Sequence, residues 1–163
     1  MLTYHALKAW LSREMIMEKI KVLFLCVTNS ARSQMAEVFL RTLGGEKFHV
    51  ESAGLEPKQI NQLAVDVMRE IGIDISDNTT KSVFNLYQQG KLFNYIISLC
   101  DEDRLQRCPL FPDHIVKHLA WSFEDPAYFT GTYEERLRKT KVVRDQIRAS
   151  IERFIYEICN NVT

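Results

Sequence analysis

The sequence has no excess of either charge: 21 lysines and arginines balance 21 aspartates and glutamates over 163 residues. That balance argues against a nucleic-acid platform, which needs a basic face to meet phosphates. No apolar run approaches the ~18 residues of a membrane helix, so no segment is expected to span a bilayer. The first residues, MLTYHALKAWLSREMI, lack the unbroken apolar stretch of a signal peptide, because Lys8, Arg13 and Glu14 interrupt them. The expected compartment is therefore the cytoplasm, where thiols are kept reduced. Four cysteines, Cys26, Cys100, Cys108 and Cys159, are too few for a disulfide scaffold, though enough for metal or thiol chemistry. Repeats and low-complexity tracts are missing as well. What the chain does have is a 46% hydrophobic composition, ample for one collapsed domain. Residues 1–16 read as an N-terminal extension without an assigned role, and residues 17–163 as a single domain.

Strand and helix patterns alternate along that domain. Ile20 to Cys26 is a nearly continuous apolar run of strand length, as in a strand buried on both faces. Ser33 to Leu43 carries Met35, Phe39, Leu40 and Leu43 at helical spacing and closes at Gly44-Gly45. Phe48 to Ser52 reads as a second strand ending at Gly54. Residues 60–71 and 81–89 read as helices, and Phe93 to Leu99 and Ile115 to Leu119 as two more strands. Thr132 and Glu135 form the S/T-x-x-E signature of a capping box, followed by an apolar stripe of Ile147, Ile151, Phe154, Ile155 and Ile158. The pattern predicts an α/β fold, a three-layer sandwich around a mostly parallel four-stranded sheet of Rossmann-like type.

The segment richest in chemistry is Cys26-Val27-Thr28-Asn29-Ser30-Ala31-Arg32-Ser33. A cysteine ends a buried strand, a short loop follows, and a helix begins beside an arginine. In open α/β sheets ligands bind at the carboxyl ends of strands, where helix N-termini present free N–H groups. The amides of Val27, Thr28, Asn29, Ser30, Ala31 and Arg32 can converge on a tetrahedral oxyanion. Arg32 can bond two of its oxygens with its planar fork. The helix dipole and the Arg32 charge favour the thiolate of Cys26, the form that acts as a nucleophile. Ser33 can donate to that sulfur, and Asn29 tolerates the left-handed backbone that a tight cradle needs. A buried structural cysteine beside an ordinary capping loop is the bland alternative.

Cys26 to Arg32, continuing as Ser33-Gln34-Met35-Ala36-Glu37, resembles the phosphate-binding loop of the low-molecular-weight tyrosine phosphatase fold. It is most similar to the thioredoxin-coupled arsenate reductases built on that fold. Ser52-Ala53-Gly54, Gly72 to Ser76, Cys100 with Cys108-Pro109, Glu124-Asp125-Pro126 and Gly131-Thr132 match in family order, so the resemblance covers most of the chain. It implies a relay. Cys26 attacks arsenate, Cys100 resolves the adduct as a Cys26–Cys100 disulfide, and Cys108 takes over Cys100. External thioredoxin, or another thiol, then reduces the product. No bound cofactor and no metal are implied, and the partners are the oxyanion and the reductant, with the protein a monomer. A tyrosine phosphatase would share Cys26, Arg32 and Asp125 but has no use for the relay thiols.

Asp125 precedes Pro126 and follows Trp121 and Phe123. Aromatic surroundings would favour its protonated form and the proline would fix its loop, which suits a general acid. Glu124 is the competing carboxylate, and the resemblance puts the role on Asp125. A zinc module is the non-enzymatic alternative, since Cys100 and Cys108 precede the His-x3-His of His114 and His118. The separation of those cysteines is wider than usual for a ligand pair.

The chain also departs from the family pattern. Ala31 stands where many relatives carry a second loop cysteine, and Thr28 replaces a common glycine. The gap between Cys100 and Cys108 is one residue longer than usual. Lys81 falls where potassium-binding relatives have an aspartate, so its ammonium is expected near Asn29, Glu37 and Ser52 in place of the ion. Cys159 is expected simply to pack.

Overall fold

A computed structural model describes residues 3, 5, 18–100, 111 and 116–161. Four parallel strands form one sheet in the order β2-β1-β3-β4: β1 Ile20–Cys26, β2 Phe48–Gly54, β3 Tyr95–Ser98 and β4 Lys117–Ala120. Alternation along β1 explains the layers. Val22 and Phe24 face one core with Met35, Val67, Ile97, Ile147 and Phe154, while Leu23 and Leu25 face a smaller one with Val83, Leu86, Phe93 and Ile96. Helices α1 Arg32–Gly44, α2 Gln62–Arg69 and α4 Tyr133–Asn160 cover the first face, and α3 Val83–Gln88 covers the second. The three-layer parallel α/β sandwich is as expected.

Element boundaries differ from the sequence reading for identifiable reasons. The second helix starts late because the Asn61 side chain caps it, accepting from Leu63 N, and Gly72 at φ 80° turns the chain away after its end. The third helix omits Lys81 and Ser82 because both are drawn to the sheet: Gly54 N donates to Lys81 O at 2.8 Å, and Ser82 bridges to Gly54. The capping box of α4 is present as read, with Glu135 N donating to Thr132 Oγ1 and Thr132 N to Glu135 Oε2.

At the central strand the register brings Cys26 opposite Gly54 and Leu25 opposite Ser98. The carboxyl ends of β1, β2 and β3 therefore meet at one edge of the sheet, beside the N-terminus of α1. Among the described residues no helix is long and apolar enough to cross a membrane.

Candidate active site

The loop from Val27 to Ala31 has a direction set by its carbonyls. Val27 O accepts from Glu56 N at 2.8 Å, Thr28 O from Lys58 N at 3.0 Å and Ser30 O from Asn61 N at 2.9 Å. A trans peptide points its N–H opposite its C=O, so the amides of Thr28, Asn29 and Ala31 turn to the other side. That is the side of the sulfur, because Asn29 N donates to Cys26 Sγ at 3.1 Å. Asn29 adopts φ 51°, the left-handed conformation expected of it. Thr28 is accommodated through a 2.7 Å hydroxyl pair with Ser30.

A second donor reaches the same sulfur. Ser33 Oγ lies 2.8 Å from Cys26 Sγ and accepts from Asn29 Nδ2, also at 2.8 Å. When Cys26 is a thiolate it has no proton to give, and the Ser33 hydroxyl is then the donor of this pair. Cys26, Asn29 and Ser33 are all buried, so these bonds act away from bulk water.

Behind Asn29 the other supporting residues come together. Asn29 Nδ2 also donates to Ser52 Oγ at 2.9 Å, and the Ser52 hydroxyl donates to Glu37 Oε2. Glu37 is a buried carboxylate, held by Arg41 on one oxygen and by Lys81 Nζ at 3.5 Å on the other. The Lys81 backbone N donates to Asn29 Oδ1 at 2.8 Å. The Lys81 ammonium thus sits against Glu37, whereas its backbone meets Asn29.

Arg32 is held from behind. Its Nη1 donates to two carbonyls, Leu99 O at 2.9 Å and Phe123 O at 3.0 Å, and its Nη2 to Asp125 Oδ2 at 2.6 Å. A guanidinium carries five N–H donors, so Nε and one hydrogen of Nη2 remain for an incoming anion. Asp125 Oδ1 accepts from Ala127 N at 3.0 Å, and Pro126 opens the short 3₁₀ turn that presents it.

Phe123 and Tyr128 line the same cavity as Asp125, but what holds its carboxylate is a charge. Trp121 packs into the core against Phe24 and Phe154, with centroids 6.0 and 5.9 Å away, and the carboxylate pairs with Arg32 instead. Glu124 is exposed.

Cys100 follows β3 and lines a cavity of about 340 Å³ together with Val27, Arg32, Ser122, Asp125 and Tyr128. Its sulfur lies 3.6 Å from Ser98 Oγ. Cys26 forms no disulfide, and Cys159 is exposed rather than packed, within 3.4 Å of Lys47 Nζ. Cys108 and His114 lie outside the described residues. Among the described residues no group of three or more His, Cys, Asp or Glu is arranged to hold a metal ion, and His118 is exposed.

Sequence reasoning missed Gln34, Asn78, Ser98 and the role of Gly54. A Cβ on Gly54 would lie 2.7 Å from Asn29 N and 2.8 Å from Val27 O, so only glycine lets the loop pass. The signal was the small Ser-Ala-Gly end of a strand facing a cysteine-terminated one.

A family model described as low molecular weight phosphotyrosine protein phosphatase matches residues 21–163. An arsenate reductase of Shouchella clausii (strain KSM-K16) is 42% identical over 139 residues, spanning 85% of this chain and 96% of its own. A solved arsenate reductase in the oxidized state superposes with a TM-score of 0.70 at 34% identity, over 85% of this chain and 98% of that one. A thioredoxin-dependent arsenate reductase of Corynebacterium glutamicum has 26% identity and a TM-score of 0.58, over 86% of this chain and 66% of the other.

Proposed function

The chain belongs to the low molecular weight phosphotyrosine protein phosphatase family, and within it we propose that this protein is an arsenate reductase working through a thiol relay. The observation that carries the reading is Cys100. A second cysteine lines the same cavity as the oxyanion arginine and the candidate acid, where hydrolysis of a phosphoester would need none.

The residues support the following sequence. Arsenate binds to the inward amides of residues 27–32 and to the open donors of Arg32. The Cys26 thiolate, kept in place by Asn29 N and Ser33, attacks arsenic and forms an As–S bond. Asp125, once protonated, gives its proton to the departing oxygen, which leaves as water. The Cys100 thiolate then attacks Cys26 Sγ. The S–S bond forms as the As–S bond breaks, its electron pair stays on arsenic, and arsenite leaves. Cys108 displaces Cys26 from Cys100, giving a Cys100–Cys108 disulfide for an external thiol to reduce. Thioredoxin is the proposed reductant, in line with the Corynebacterium glutamicum relative, and the reducing cytosol is the proposed compartment. Lys81, seated against the Glu37 oxygen that Arg41 does not hold, is proposed to take the place of a potassium ion there, so that activity needs none.

The deciding experiment is arsenate-dependent oxidation of reduced thioredoxin by the purified protein. Cys108→Ser should abolish turnover and trap the Cys26–Cys100 disulfide, while hydrolysis of a phenyl phosphate survives. Fast phenyl phosphate hydrolysis with no response to arsenate would establish a phosphatase instead.

A further inference from the structure

Gln34 and Asn78 have no part in the scheme above, yet they form a continuous hydrogen-bonded arm to its nucleophile. Gln34 is 1% exposed, in the first turn of α1. Its Nε2 donates to Asn29 Oδ1 and to the Thr79 carbonyl, each at 3.1 Å, and its Oε1 accepts from Asn78 Nδ2 at 3.1 Å. These partners permit one orientation of the Gln34 amide. Reversed, its oxygen would face two acceptors and its nitrogen would face the Asn78 donor.

The same accounting then fixes Asn29. Its Oδ1 receives Gln34 Nε2 and Lys81 N, so its Nδ2 must donate outward, to Ser33 and Ser52. Toward a Cys26 thiolate, which has no proton to give, Ser33 is the donor, with Asn29 Nδ2 on one of its lone pairs. If Asn29 turned over, its oxygen would claim the Ser33 hydrogen and the sulfur would lose a donor.

We propose that Asn78 and Gln34 are positioning residues that polarise this chain toward Cys26, setting its reactivity from a half-exposed site three hydrogen bonds beyond Ser33. The proposal rests on the reading of Cys26 as the nucleophile. It goes beyond that reading by assigning part of the sulfur's reactivity to Asn78, whose link to the sulfur runs through Gln34, Asn29 and Ser33.

Two variants of the full chain test it. Gln34→Met keeps the volume and removes the bonds. Asn78→Asp keeps the shape and turns a donor into an acceptor, drawing Gln34 Nε2 away from Asn29. The readout is iodoacetamide alkylation of the Cys26 peptide across pH, followed by mass spectrometry, beside arsenate kcat and KM. For one weakened bond to a charged sulfur, alkylation near neutral pH should fall about tenfold, with the profile moved ~1 pH unit upward. Arsenate kcat should fall in parallel while KM stays near the wild-type value.

Wild-type profiles in both variants overturn the proposal and leave the nucleophile reading intact. A wild-type Cys26 no more reactive than Cys159 overturns both. Because Asn78 is half-buried, Asn78→Asp decides the matter even where Gln34→Met fails to fold.

Discussion

Replacing Gly54 by alanine should damage catalysis more than stability. The added Cβ would lie 2.7 Å from Asn29 N, 2.8 Å from Val27 O and 2.9 Å from Thr28 C, all backbone atoms that no rotamer change can move. The end of β2 cannot yield easily, since it pairs with Cys26 in register and Gly54 N is bonded to Lys81 O. The loop must therefore shift. Overpacking of this kind costs about 1–3 kcal/mol of stability. The atom most crowded is Asn29 N, the donor to Cys26 Sγ at 3.1 Å. A hydrogen bond to a charged group contributes about 1.5–3 kcal/mol. Its complete loss in the transition state would slow turnover roughly tenfold to 150-fold.

Gly44→Ala is the matched control. Its Cβ meets only side chains at the far end of α1, Phe48 Cδ2 at 2.5 Å and Leu40 Cδ1 at 3.2 Å. Thermal midpoints of both variants should fall by comparable amounts, and arsenate-dependent thioredoxin oxidation should fall only in Gly54→Ala. Undiminished turnover in Gly54→Ala, at a lowered midpoint, would refute the reasoning.

Two further outcomes follow from single residues. Asp125→Asn keeps an acceptor for Ala127 N but removes the transferable proton, so arsenate turnover should drop about 10²–10⁴-fold. Binding of inorganic phosphate, read by competition, should hold or tighten as a negative charge leaves Arg32. Glu51, buried on β2, is pushed up by that burial but held below its ordinary 4.5 overall, because hydrogen bonds and charges from Lys91 and His49 outweigh it. A lowered value means its stabilisation is complete above 4.5 and is lost as pH falls through the folded value. Urea midpoints measured across that acid range should fall more steeply in the wild type than in Glu51→Gln.

The sheet and the anion loop were legible because their signals are residue types in a fixed order. The nearly continuous apolar run from Ile20 marks a strand buried on both faces, and Asn29 marks the left-handed turn. The support around them was less legible, because much of it uses backbone. The carbonyls of Leu99 and Phe123 that hold Arg32 carry no residue-type signature, and nothing in Trp121 or Phe123 shows that Asp125 will pair with arginine rather than nest among rings. Gln34 was hidden for a different reason. The whole stretch from Arg32 to Glu37 is buried, so its polar residues cannot be told from a solvent face by helical periodicity.

The two carbonyls behind Arg32 have a consequence for how the protein can vary. Every residue type has a carbonyl, and none of them titrates, so substitutions at positions 99 and 123 that preserve the local backbone leave the arginine's footing unchanged. Grip on the anion is thereby insulated from sequence drift in the two segments that carry the proposed resolving thiol and the proposed acid, Cys100 and Asp125. Those segments can acquire new surface chemistry, toward a different reductant or a different substrate rim, without first sacrificing the charge that holds the oxyanion.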